Sequence, residues 1–141
     1  QKGYSKMNNG INVNSEIGKL KSVLLHRPGA EVENITPDTM KQLLFDDIPY
    51  LKIAQKEHDF FAQTLRDNGA ETVYIENLAT EVFEKSSETK EEFLSHLLHE
   101  AGYRPGRTYD GLTEYLTSMP TKDMVEKIYA GVRKNELDIS T

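Results

Sequence analysis

The sequence predicts an α/β chain: a strand–strand–helix–strand module over residues 11–76, followed by a small all-helical bundle over 77–141. Three observations carry that reading. Val23-Leu24-Leu25 and Thr72-Val73-Tyr74-Ile75 are short apolar or β-branched runs bounded by turn residues, the pattern of strands. Between them Leu51, Ala54, His58, Phe61 and Leu65 recur at steps of three and four, which puts all five on one face of a helix from Pro49 to Asn68. After Asn77 the apolar residues recur at helical spacing only.

Residues 1–10 are polar and without period, so they are expected to be disordered or expression-derived and stand outside the fold; Met7 is the candidate natural start. Ile11-Asn12-Val13-Asn14 alternates apolar and polar, the pattern of a half-buried strand. Ser15-Glu16-Ile17-Gly18 is a turn, with Gly18 free to take a positive φ. Leu20 to Arg27 follows as a buried strand, close enough to the first to form a hairpin. Thr36-Pro37-Asp38 is a compact helix start with Met40, Leu43 and Leu44 on its apolar side. Asp46 and Asp47 precede Pro49 and supply acceptors of the kind that cap a helix. They also sit in a loop leading into a helix, a common place for recognition groups, and a general acid/base pair is the third reading of them.

Asn68-Gly69 ends the long helix, and the strand after it implies a crossover back to the sheet. Phe61 is expected in the core, so Phe61→Ala is expected to cost about 3–5 kcal/mol. In the bundle, Leu78, Val82 and Phe83 form a short segment ending at Ser86-Ser87. Thr89 to Glu92 matches a capping box, with Phe93, Leu94, Leu97, Leu98 and Ala101 behind it and Gly102 as terminator. Thr108 caps a helix bearing Tyr109, Leu112, Leu116 and Met119, which Pro120 ends. Thr121 starts the last helix, with Met124, Val125, Ile128, Tyr129 and Val132 inward.

Composition narrows the function. Net charge is −6 with no basic, aromatic-interleaved patch, which argues against nucleic acid. No apolar run approaches the length of a membrane span and no secretory h-region is visible. The 141 residues include no cysteine, which excludes disulfides, thiolate metal sites and a cysteine nucleophile within this chain and fits a reducing, cytoplasmic setting. His96 and His99 with Glu100 do not form the His-Glu-x-x-His zinc pattern, because the glutamate lies outside the pair. Phosphate-loop and serine-elbow motifs are absent. His26-Arg27 at the end of the second strand is either an anion or carboxylate contact or a solvated strand end. His58 is a packed or edge histidine or a catalytic or metal group, and Arg104-Pro105-Gly106-Arg107 is an exposed turn or an anion hold.

Four ordered stretches carry a resemblance: Ser15 to Lys21, Leu25-His26-Arg27-Pro28-Gly29, Leu43-Leu44-Phe45-Asp46-Asp47-Ile48-Pro49, and Glu57-His58-Asp59. Together they resemble the N-terminal part of bacterial arginine deiminases, the lactic-acid-bacterial members most. The resemblance runs from Ile11 to Ile139. It implies a hydrolase of arginine degradation that converts L-arginine to L-citrulline and ammonia with no metal or organic cofactor. It implies a pentein-like fold, in which residues 11–76 are one ββαβ unit of a five-fold α/β propeller and 77–141 a helical insert. It implies a cysteine thiolate that attacks the guanidinium carbon, forming a thiouronium intermediate, with carboxylates and a histidine beside it. Those groups are expected in later segments, so the 141-residue chain is expected to be inactive alone. Leu44 is the substrate-contacting residue carried over, with Asp46 and Asp47 as support of its loop; His58 matches no catalytic histidine. The ending at Asp138-Ile139-Ser140-Thr141 is expected to be a truncation. The other reading is a non-enzymatic interaction or regulatory module that associates with itself or with full-length deiminase. A free-standing arginine binder is disfavoured, since guanidinium recognition needs paired carboxylates.

Overall fold

The structure, a computed structural model, describes residues 11, 13–35, 40, 49–133 and 136–137. Two strands, β1 (Ser22–Leu25) and β2 (Glu71–Tyr74), pair in parallel with Val23 opposite Thr72 and Leu25 opposite Tyr74. Parallel strands need a crossover. Here the crossing chain includes the single turn α1 (Ala30–Glu33) and the long helix α2 (Leu51–Asp67). Four helices follow: α3 (Ile75–Lys85), α4 (Ser87–Glu100), α5 (Arg107–Thr117) and α6 (Thr121–Ala130). The class is therefore mixed, a small sheet with helices, as the sequence predicts at the level of α/β. Among the described residues no helix is long and apolar enough to cross a membrane.

The hairpin is a correction. Ile11, Val13 and Asn14 take no strand conformation, and Ile11 and Val13 are 88% and 87% exposed. Two alternating apolar residues bury too little to offset the entropy of ordering the segment. The turn survives: Ser15 Oγ accepts from Ile17 N at 3.2 Å. Gly18 is not among the glycines with positive φ. β1 is half-buried rather than buried. α2 covers the face of Thr72 and Tyr74, where Arg66 donates to Thr72 Oγ1 at 2.9 Å and His58 Nε2 lies 3.3 Å from the Tyr74 hydroxyl. Leu24 points to the other face and is 54% exposed.

α2 starts later than its flanking aspartates suggest. Tyr50 is the N-cap, in extended conformation and without a side-chain cap bond, and Pro49 precedes it. Those aspartates, Leu43, Leu44 and the Thr36-Pro37-Asp38 helix start lie outside the described residues. The end of α2 is as expected. Gly69 has φ 83°, Ala70 N donates to Leu65 O at 3.0 Å and Gly69 N to Arg66 O at 2.9 Å, the paired bonds of a Schellman stop.

The buried face of α2 is rotated from the expected one. Ala62 is fully buried while Phe61 is 52% exposed. The small alanine lets the helix lie close on β2, and the phenylalanine falls to the flank. Phe61 is thus not a full core position.

β2 runs directly into α3: Tyr74 is the α3 N-cap, so the expected division between 76 and 77 falls inside a continuous helix. The large buried side chains come from the helical half. Phe83, Leu94, Leu116, Met124 and Val125 form one cluster, lined by Tyr115, Met119, Ile128 and Tyr129. Ala62 and Ala70 are the buried apolar residues of the α/β half among those described. Two caps differ from expectation. Ser86, not Thr89, caps α4; its Oγ accepts from Thr89 N at 3.1 Å, because a serine in extended backbone three positions upstream reaches that free N–H. Gly106, not Thr108, precedes α5, its φ of 153° suiting glycine. Phe93 and Ala101 are exposed, while Leu94 and Leu98 are buried. α6 is as predicted, with Met124 and Val125 innermost.

Candidate functional site

Both parallel strands end at the same place, and the chain turns away from each into a helix. The crevice outside the carboxyl ends of parallel strands is where open α/β sheets most often collect polar groups. Here it is a cleft of about 590 Å³ whose lining includes His26, Arg27, Gln55, Glu76, Lys122 and Tyr129. β1 delivers His26 and Arg27, β2 delivers Tyr74 and, one residue into α3, Glu76. α1 brings Glu31 and α6 brings Tyr129, which closes the side against the helical half.

His26 is the centre of this cleft. Its Nδ1 faces Glu76 Oε1, and its Nε2 lies 3.1 Å from Glu31 Oε1. Its ring stacks on Tyr129 with centroids 4.6 Å apart and planes 26° from parallel. One imidazole thus ties β1, α1, α3 and α6 together. Glu31 has a second duty, accepting from Gly29 N at the start of α1. Glu76 Oε2 is buried without a hydrogen-bond partner among the described residues. Burial, with the Glu76 carboxylate beside it, raises the Tyr129 phenol above its ordinary value. The phenol therefore stays neutral at ordinary pH.

Arg27 turns the other way. Its Nε and Nη2 each lie 2.8 Å from the two oxygens of Asp59, a two-pronged pair between the strand end and α2. The hydrogen bond to Arg27 holds the Asp59 carboxyl below its usual range, and the same bond raises Arg27, with desolvation opposing in both. Both side chains are about half exposed, so solvent screens the pair. Gln55 of α2 donates to Pro28 O at 2.9 Å and fixes the chain between strand and α1. On the far side Lys127 pairs with Glu136 at 2.7 Å; that bond lowers Glu136 and raises Lys127.

The predicted site residues divide accordingly. The carboxylates that meet His26 and Arg27 are the protein's own, so the strand end is satisfied internally, by a two-pronged ion pair at Arg27 and side-chain contacts at His26. His58 is an edge histidine against Tyr74, ring centroids 5.8 Å apart. His96 and His99 are exposed on α4, and no group of three metal-ligating side chains occurs among the described residues. Arg104 to Arg107 is an exposed turn leading into α5. Leu44, Asp46 and Asp47 lie outside the described residues. Sequence reasoning missed Glu31, Glu76, Tyr129 and Asp59. Their partners are 5 to 50 residues away in the pairs His26–Glu31 and His26–Glu76, a separation that periodicity does not report.

A family model described as arginine deiminase matches residues 41–141 of the chain. The arginine deiminase of Lactococcus lactis subsp. cremoris is 99% identical over 133 residues, which is 94% of this chain and 32% of that protein. That of Lactococcus lactis subsp. lactis is likewise 99% identical over 133 residues. The arginine deiminase of Latilactobacillus sakei is 61% identical over 135 residues, 96% of this chain and 33% of that protein. The chain spans about a third of the length of these relatives.

Proposed function

Because this chain belongs to the arginine deiminase family, we propose that it is the N-terminal scaffold portion of an enzyme that hydrolyses L-arginine to L-citrulline and ammonia. The observation that carries the reading is near-identity to lactococcal arginine deiminases across 94% of the chain. The chemistry of that reaction divides the labour. Opening an amidine carbon needs a strong nucleophile, and the family's is a cysteine thiolate that forms a thiouronium intermediate. The 141 residues contain no cysteine. What they contribute is a wall over the substrate at Leu44, with Asp46 and Asp47 holding its loop. The strand end, where His26 contacts Glu31 and Glu76, ties the small sheet to the helices around it. The unit is one ββαβ element of a pentein-like propeller in this reading, and the helices after it are the insert. The intact enzyme works in the cytoplasm.

A second reading is favoured by one feature of the α/β half. Its described residues bury no side chain larger than alanine, and its sheet leaves Leu24 half bare. Such a surface suits a module that associates with itself or with full-length deiminase. Calorimetric titration with L-arginine tests the scaffold reading. No saturable heat is expected at millimolar ligand, because the guanidinium lacks its later carboxylates. Saturable micromolar binding would instead mark a free-standing arginine binder.

A further inference from the structure

The two contacts at His26 need two hydrogens between them. Nδ1 meets Glu76 Oε1, and Nε2 meets Glu31 Oε1 at 3.1 Å. An ionised carboxylate only accepts, and a neutral imidazole carries a single N–H. With both carboxylates ionised and the ring neutral, one contact sets lone pair against lone pair. One further proton removes that clash. It rides on the imidazole, which then donates at both nitrogens, or on Glu76, which then donates to Nδ1; the trio holds the same number of protons either way. No other cation does this work. Arg27 is held by Asp59, Arg66 donates to Gln63 and Thr72, and Lys122 lies 3.8 Å from Glu126. Among the described residues neither Glu31 nor Glu76 pairs with a lysine or arginine, and Glu76 Oε2 is buried without a donor. Tyr129 of α6 stacks on the ring rather than bonding to its nitrogens.

We propose that Glu31, His26 and Glu76 form a one-proton clasp, which fastens α1 to the strand end while the proton is bound and lets α1 go when it leaves. The trio itself decides which contact breaks. Once the proton has left, the ring keeps its single N–H at Nδ1, because Glu76 is the more buried carboxylate and has no other donor among the described residues. Glu31 is the partner that releases. Its side chain is 29% exposed against 16% for Glu76, and it keeps the bond from Gly29 N. α1 then stays attached at its far end, where Asn34 Nδ2 donates to Ala130 O at 2.5 Å. The clasp is therefore a switch at one end of a single turn, with the other end as its hinge.

The inference concerns this chain alone and does not rest on the deiminase reading. Urea unfolding of the 141-residue chain between about pH 5.5 and 8.5, read by circular dichroism, tests it. At the acid end the unfolded chain's imidazole is protonated too, and the clasp contributes in full. As pH rises the unfolded chain loses that proton first, so the folded state binds more protons and stability falls. The unfolding equilibrium constant of the wild type is expected to rise about tenfold across the range, the weight of one hydrogen bond to a charged group. Glu76→Gln brings an amide N–H to Nδ1, so a neutral His26 satisfies both contacts, and the rise is expected to shrink to about threefold or less. His26→Gln removes the titrating ring and is expected to shrink it likewise. His58, His96 and His99 remain in both variants, so the difference from wild type belongs to the clasp. The wild type alone gives a second reading: its unfolding near pH 7.5 is expected to release a large part of roughly one proton to the solution. A wild type that releases no proton overturns the proposal, as does a rise of equal size in wild type and both variants.

Discussion

Met124→Ala is expected to destabilise the chain by about 2–5 kcal/mol. Met124 is fully buried on α6 and shares one cluster with Phe83 of α3, Leu94 of α4 and Leu116 of α5. Truncating it removes a fully buried side chain from that cluster and leaves a cavity among the helices that form it. A domain of this size has roughly 5–15 kcal/mol of stability in all, so urea unfolding followed by circular dichroism should show a large fall in midpoint. Phe61→Ala is the control. The sequence places Phe61 in the core with a cost near that of Met124, but the structure leaves it half exposed, so its truncation should cost under about 1.5 kcal/mol, the lower bound for full burial. Equal losses for the two variants would mean that the core does not sit in the helical half.

His26→Ala should have the next largest effect, about 1–3 kcal/mol. The ring removed stands between Glu31 and Glu76 and against Tyr129. Without it Glu31 keeps only Gly29 N, while Glu76 loses its partner at Oε1 and already has its other oxygen buried without one among the described residues. α1, a single turn with no side-chain cap bond, then loses its tie to the sheet. The check is a double-mutant cycle with Glu76→Gln, read by urea denaturation. A coupling of about 0.5 kcal/mol or more between the two positions is expected for residues in one network. Additive losses would show that His26 acts by packing on Tyr129 alone.

What the residues disclose about this fold follows the range of each interaction. The stop of α2 was legible at Asn68-Gly69, since glycine at positive φ is a local requirement. The inward face of α6 was legible at Met124 and Val125, since helical period is also local. The crossover between Val23-Leu25 and Thr72-Tyr74 followed from a helix lying between two apolar runs, and the strands do pair in parallel. Ile11 and Val13 misled because alternation over four residues is satisfied as easily by an exposed segment. Phe61 misled because hydrophobicity favoured it over Ala62, whereas close approach of helix to strand favours the smaller residue. The cleft was nearly invisible. His26 and Arg27 attracted notice as charges at a strand end, but their partners come from α1, α2 and α3, and only the folded chain brings Glu76 and Asp59 to them. The expectation for Leu44, Asp46 and Asp47 comes from the resemblance alone, and these residues lie outside the described ones.

The central claim is a division of labour: this polypeptide supplies walls and framework, and the nucleophile comes from elsewhere. Citrulline formation by the purified chain tests it most directly, with intact mass confirming the 141 residues and the absence of any longer deiminase. The account predicts no citrulline above buffer at saturating L-arginine, under conditions where a full-length lactococcal relative turns over. Catalytic citrulline release by the cysteine-free chain would contradict it.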